Sequence, residues 1–170
     1  MKPSKLSTED RLIELSRAET VRKARERALR LINYRDRSKS EMRKRLTEGG
    51  FPEDIVNELI DQLSRAGLLD DEKFSRDWVK SRTASKPMGR QRLAWELTSK
   101  GVEAPAVEEA LEVIDDAAEY ELAFSVARRK VEKAGGGDPT MKTRLSSFLR
   151  RRGFGWDVVK RVVDELCHDD

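Results

Sequence analysis

The sequence predicts an all-α protein built from three tandem three-helix modules. Three observations carry that prediction. First, Gly50, Gly101 and Gly153 stand about 51 residues apart inside one hydrophobic frame. Second, apolar residues recur at helical spacing almost throughout the chain. Third, no segment alternates apolar and polar residues as a half-buried strand would. In the frame, Leu46, Leu97 and Leu149 lie four residues before the glycines, and Met42, Leu93 and Leu145 eight before. Phe51, Val102 and Phe154 follow them directly. The register continues as Ile55, Val56, Leu59, Leu63, then Ala106, Val107, Ala110, Ile114, then Val158, Val159, Val162, Leu166.

The elements follow in chain order. Residues 1–20 read as a flexible or partly helical lead-in, with Ser7 to Asp10 as a possible cap; from Ala24 the pattern takes a helical step. The first module spans 21–69. Ser38 with Glu41 three residues on has capping-box spacing and opens a helix that stops at Gly49-Gly50. Pro52, Glu53 and Asp54 suit the first turn of the next helix, which ends near Gly67. The second module spans 70–115. Its first helix starts at Asp70 or Asp71, carries Phe74 and Trp78, and breaks at Ser85 to Gly89. Its second runs from Arg90 to Gly101, and Pro105 opens a third through Ile114. The third module, 116–170, starts with a helix near Asp116. A glycine loop over Gly135 to Pro139 follows, then a helix from Thr140 to Gly153 and a last one from Gly155 to Cys167.

Composition excludes several function classes. The 170 residues are 39% charged and 6% aromatic. Small modules that bury little alone and rely on neighbours fit such a thin core. One cysteine, Cys167, cannot form a disulfide framework within the chain, which suits a reducing cytoplasm. Cys167 and His168 alone cannot supply a four-ligand zinc site. No apolar run approaches the ~20 residues of a membrane span, and Met1 to Asp10 lacks the apolar core of a signal peptide. A phosphate-cradling GxxxxGK[ST] run is absent, and His168 is the only histidine. The adjacent pairs Asp70-Asp71 and Asp115-Asp116 point about 100° apart on a helix, so they read as caps rather than metal dyads. Neither a catalytic site, a metal nor a cofactor is expected.

Two segments are distinctive beyond the repeat. One is Arg37-Ser38-Lys39-Ser40-Glu41-Met42 leading to Leu46 and Gly50-Phe51. The other is Gly67-Leu68-Leu69-Asp70-Asp71-Glu72-Lys73-Phe74, then Gly89 and Glu96-Leu97-Thr98-Ser99-Lys100-Gly101-Val102. Together they resemble the RecX family of bacterial regulatory proteins, over about Ala24 to Leu166. The resemblance implies tandem three-helix repeats in an elongated, curved molecule. It implies binding to the RecA recombinase filament on DNA. It also implies inhibition of RecA's ATP hydrolysis, strand exchange and co-protease functions, and so modulation of recombination and SOS-type repair. A cytoplasmic monomer is expected.

Charge distribution supplies the candidate residues. Between Gly101 and Val126 stand eight acids and no base; between Ala127 and Arg161, eleven bases face three acids. Such segregation steers an anionic partner, whether nucleic-acid phosphate or an acidic protein groove. The candidate RecA- or DNA-binding residues are Arg43, Lys44 and Arg45, with Arg90 and Arg92 at a similar place in the second module. The third module contributes Arg144 and the run Arg150, Arg151 and Arg152. Trp95 falls off the apolar face of Leu93 and Leu97 and is expected to be exposed; Trp156 is expected to staple the last helix to the preceding turn. The helices after Gly50 and Gly101 are acidic, which disfavours base-specific reading by a helix-turn-helix. The alternative function is a sequence-independent DNA-binding helical module with no protein target.

Overall fold

A computed structural model describes residues 8–134 and 140–167. The stretch 1–7 with the Ser7 cap, the glycine loop 135–139 and His168 lie outside the described residues. Among those described there are nine helices and no strand. They are α1 (Thr8–Tyr34), α2 (Lys39–Glu48), α3 (Glu53–Arg65), α4 (Asp71–Ser85), α5 (Arg90–Ser99), α6 (Ala104–Leu111), α7 (Asp116–Ala134), α8 (Met141–Arg151) and α9 (Trp156–Leu166). The all-α repeat fold read from the sequence is the fold observed.

The glycine frame is one turn built three times. Gly50, Gly101 and Gly153 all have left-handed backbones, with φ of 81°, 74° and 80°. In each, the amide after the glycine donates to the carbonyl of the leucine four residues before it. These bonds are Phe51 to Leu46 (3.3 Å), Val102 to Leu97 (3.2 Å) and Phe154 to Leu149 (3.3 Å). That is a Schellman closure: it satisfies the last carbonyls of α2, α5 and α8 and folds the next apolar residue back under the helix. Leu46, Leu97, Leu149, Met42, Leu93 and Leu145 are all fully buried. The repeating sequence pattern is therefore the core-facing half of one helix–turn–helix unit.

The chain divides into two compact units, up to Asp70 and from Asp71 onward. In the first, α1, α2 and α3 enclose Ala24, Ala28, Met42, Leu46, Val56, Leu59 and Leu63. The Ser38 capping box is present in both directions, with Ser38 Oγ accepting from the Glu41 amide and the Glu41 carboxylate from the Ser38 amide. Beneath it Arg37 is buried, its Nε donating to the Leu31 carbonyl at 3.3 Å; burial lowers its pKa from the ordinary value. Pro52 stands at the N-cap of α3 itself, just before the first turn where the sequence placed it. Helix α1 is continuous from Thr8, through the residues read as a lead-in. Arg17 pairs with Asp54 and, at 3.5 Å, with Glu58; Arg25 bonds Gln62 at 2.7 Å; and Glu19–Lys23 and Arg22–Glu26 add i,i+4 pairs.

The second unit holds two modules, each with its own apolar cluster. Helix α6 ends at Leu111, short of the expected Ile114. A turn intervenes, closed by the Ile114 amide on the Leu111 carbonyl at 3.0 Å, which buries Ile114. Asp115 then caps α7, its carboxylate accepting from the Ala118 amide at 2.7 Å. Asp115 thus does the capping work read for this pair, while Asp116 opens the helix, and no cluster of metal-ligating side chains occurs among the described residues.

The two modules of this unit meet backbone to backbone. The Gly89 amide donates to Arg152 O (2.9 Å) and the Gln91 amide to Gly153 O (3.2 Å). A Cβ on Gly89 would stand 2.2 Å from Gly153 O, and one on Gly153 would stand 2.4 Å from the Arg92 backbone nitrogen. Glycine at both positions is what permits the joint. Glu119, buried, locks it by accepting from the Arg90 amide at 2.9 Å.

Candidate functional site

The candidate cations do not share one environment. Arg43, Lys44 and Arg45 lie exposed on α2 in the first unit. Arg43 Nε donates to Asn57 Oδ1 at 3.1 Å, while Lys44 and Arg45 both reach Glu48, at 4.0 and 3.3 Å. Such exposed pairs are weak, so these charges stay available to a partner. Arg90 belongs to the joint through its amide, and its side chain reaches Asp116 at 4.0 Å.

Arg92 joins a different arrangement. Glu96, 8% exposed, accepts from Trp78 Nε1 (3.1 Å), Arg82 Nε (3.0 Å) and Arg92 Nε (3.4 Å). Arg82 and Lys100 both lie over the Trp78 ring, at 4.5 and 4.2 Å, and Arg92 lies over Trp95 at 4.3 Å. Trp95 is exposed as expected. Trp156, expected to staple, is instead 61% exposed, with Arg150 5.6 Å from its ring. As the first residue of α9 it points outward, while Val158, Val159, Val162 and Val163 take the buried face.

The run Arg150-Arg151-Arg152 is split three ways. Successive helical residues turn about 100° apart, so Arg150 flanks Trp156 and Arg151 is exposed. Arg152, half-buried, donates from Nη1 to Pro87 O at 2.9 Å. Arg152 and Arg144 instead line a cleft of about 470 Å³ among the 85–87 segment, α7 and α8. The cleft also gathers Lys86, Arg129, Lys130 and Lys133, and no carboxylate lines it among the described residues. On α7, Val126, Arg129, Lys130 and Lys133 fall at i, i+3, i+4 and i+7. On α8 and its cap, Arg144, Phe148 and Arg152 fall at i, i+4 and i+8. Two basic helical stripes therefore face each other. The Phe148 ring stands between them, with Lys130 Nζ 4.8 Å and Arg152 Cζ 4.7 Å from its centre. The nearby acid Glu132 pairs with Arg128 at 2.9 Å.

Sequence reading counted Arg129, Lys130 and Lys133 in the basic stretch but named none of them as site residues, and it saw Lys86 only as part of a helix break. The i, i+3, i+4, i+7 spacing was the available signal. A larger groove, about 780 Å³ among α4, α6 and α7, is floored by Val79, Ala110, Ile114 and Leu122 and rimmed by both signs of charge.

Known proteins place this architecture. The first, second and third three-helix domains of RecX match residues 24–63, 70–111 and 117–163. The regulatory protein RecX of Mycobacterium ulcerans (strain Agy99) is 38% identical over 142 residues, covering 82% of each chain. That of Prosthecochloris aestuarii is 34% identical over 146 residues, covering 86% of this chain and 95% of the relative. The crystal structure of RecX from Lactobacillus salivarius superposes with a TM-score of 0.79 at 21% identity, over 88% of this chain and 97% of that one. A second RecX crystal structure gives 0.81 at 22%, over 96% and 81%. With all three domains matched in order and the helical repeat shared, the chain belongs to the RecX family.

Proposed function

We propose that this protein is a non-catalytic regulator that binds the RecA filament on DNA and restrains it, lowering ATP hydrolysis, strand exchange and co-protease activity. Family membership supports the reading, and the observation that carries it on this chain is charge placement. Basic side chains stand exposed on α2, with only weak exposed ion pairs, and others converge on α7 and α8. A filament of protein and nucleic acid offers repeated acidic and phosphate surfaces. A chain with basic sites on more than one module gains avidity by engaging several at once. The candidate contacts are Arg43, Lys44 and Arg45 in the first module, Arg90 and Arg92 in the second, and Arg144, Arg150, Arg151 and Arg152 in the third.

The test is RecA's single-strand-DNA-dependent ATP hydrolysis with this protein titrated in. Turnover is expected to fall. Loss far below one copy per RecA indicates action at filament ends, and loss near one-to-one indicates coating of the groove. Unchanged turnover at saturating protein contradicts the proposal.

A further inference from the structure

We propose that Trp95 and Trp156, which flank the backbone joint of the second unit, form a stacking surface for the bases of an unpaired nucleic-acid strand. The inference goes beyond the filament reading above and does not rest on it.

The three tryptophans of the chain are used in two ways. Trp78 is structural: its Nε1 donates to Glu96 at 3.1 Å, its ring stacks on Phe74 with centroids 5.9 Å apart, and Arg82 lies over it at 4.5 Å. Trp95 and Trp156 are instead 58% and 61% exposed. Neither helix needs them for its core, because α5 buries Leu93 and Leu97, and α9 buries Val158, Val159, Val162 and Val163. Tryptophan carries one of the largest apolar surfaces of any side chain, and its burial is a strong source of packing energy. Two such rings left in water are a surface that folding does not use.

The joint brings the two rings into one neighbourhood. A Cβ on Gly153 would stand 2.8 Å from Arg92 Cα, Trp95 is one helical turn beyond Arg92, and Trp156 is three residues beyond Gly153. Chain geometry therefore keeps the two tryptophan α-carbons within about 20 Å of each other. The Gly89 and Gln91 amides, bonded to Arg152 O and Gly153 O, hold α5 against the turn into α9. The spacing is set before anything binds, which lowers the ordering cost of binding.

The neighbours of the rings select the partner. Arg92 lies 4.3 Å from the centre of the Trp95 ring, and Arg150 lies 5.6 Å from that of Trp156. An exposed indole takes the face of any base, and a guanidinium beside it adds cation–π attraction; this combination is a general one for binding single strands. Arg92 keeps its bond to Glu96 at 3.4 Å in this arrangement, so the surface draws its affinity from ring faces rather than from unpaired charge. In a duplex the bases stack on one another and show only their edges in the grooves. The surface therefore favours an unpaired strand and is indifferent to its sequence.

Fluorescence anisotropy of a labelled oligothymidylate, at low salt and without RecA, tests the assignment on the full chain. Trp95→Ala and Trp156→Ala are each expected to weaken binding about five-fold or more, the low end of what stacking one base contributes. Trp95→Phe, which keeps a ring, should recover most of the loss. The slope of log K against log[salt] should match the parent in all three, because no phosphate contact is removed. An abasic strand of equal phosphate count should bind the parent about ten-fold more weakly than oligothymidylate, and should bind parent and variants alike. A hairpin duplex of equal phosphate count should also bind more weakly than the strand. Parent-like affinity in both alanine variants overturns the proposal, as does an equal loss on the abasic strand, a duplex bound as tightly as the strand, or a parent that does not bind the strand. Alanine variants that hold the bare strand normally but lose the RecA-coated one make the two rings a protein-docking surface and overturn the choice of partner. The deciding measurements contain no RecA, so the filament reading and the stacking assignment fail separately.

Discussion

At the scale of single residues, the glycines divide into two kinds, and alanine substitution separates them. Gly50 has φ of 81° but nothing within 4 Å of a Cβ, so Gly50→Ala carries only the left-handed backbone cost, about 1 kcal/mol. Gly153 adds to that a Cβ 2.4 Å from Arg92, so Gly153→Ala is expected to cost about 3 kcal/mol. Gly155, with open space and φ of −61°, should tolerate alanine with little change. Urea unfolding of the three variants checks the order; equal losses at Gly50 and Gly153 would remove the backbone joint from the account. The sequence displayed Gly153 as one of three equivalent stops. That it also seats a neighbouring module was not legible, because Gly89 and Gly153 are 64 positions apart and no periodicity links them.

Elements are held by polar groups whose loss is graded by burial. Glu96 satisfies Trp78, Arg82 and Arg92 together, but Arg82 and Arg92 are 32% and 41% exposed and recover water when released. Glu96→Ala is therefore expected to cost about 2 kcal/mol rather than the larger penalty of a fully buried pair, measured by thermal unfolding. The first half of α1 depends on weaker links. Arg17 holds the Asp54 carboxyl below the usual carboxylate range, mainly through their hydrogen bond. A depressed carboxylate contributes above its unfolded pKa and loses that contribution as pH falls through the folded one. Amide exchange in residues 13–20 should accordingly rise as pH drops below the ordinary aspartate range, after correction for intrinsic rates. In Asp54→Asn it should already be high at neutral pH. A variant matching the parent at neutral pH would show that the helix needs no such tether. The helices themselves were readable from caps and glycines. Ser38, Glu41 and Asp115 act locally, within three residues, where sequence pattern is most informative. The cleft was readable only in part. Arg144 and Arg152 were named, but Lys86 joins them through a tertiary contact, and the three consecutive arginines suggested one patch where helical rotation makes three.

For the whole molecule, the repeat made the fold class legible because each copy buries the same positions: Met42, Leu93 and Leu145, then Leu46, Leu97 and Leu149, are fully buried in turn. Family membership was legible through the motifs around Ser38, Gly67 and Gly101. On the proposed function, the exposed α2 cations are among the groups that contact the filament. Arg43→Glu with Lys44→Glu should therefore weaken binding to a RecA-coated strand by about ten-fold. The most direct test of the central claim is the affinity of the unaltered protein for a labelled single-stranded oligonucleotide, bare and RecA-coated, at matched physiological salt. Binding to the coated strand at least ten-fold tighter than to the bare one is the predicted result. Equal affinity, or binding lost when RecA covers the strand, would contradict a filament regulator and leave a sequence-independent DNA-binding protein.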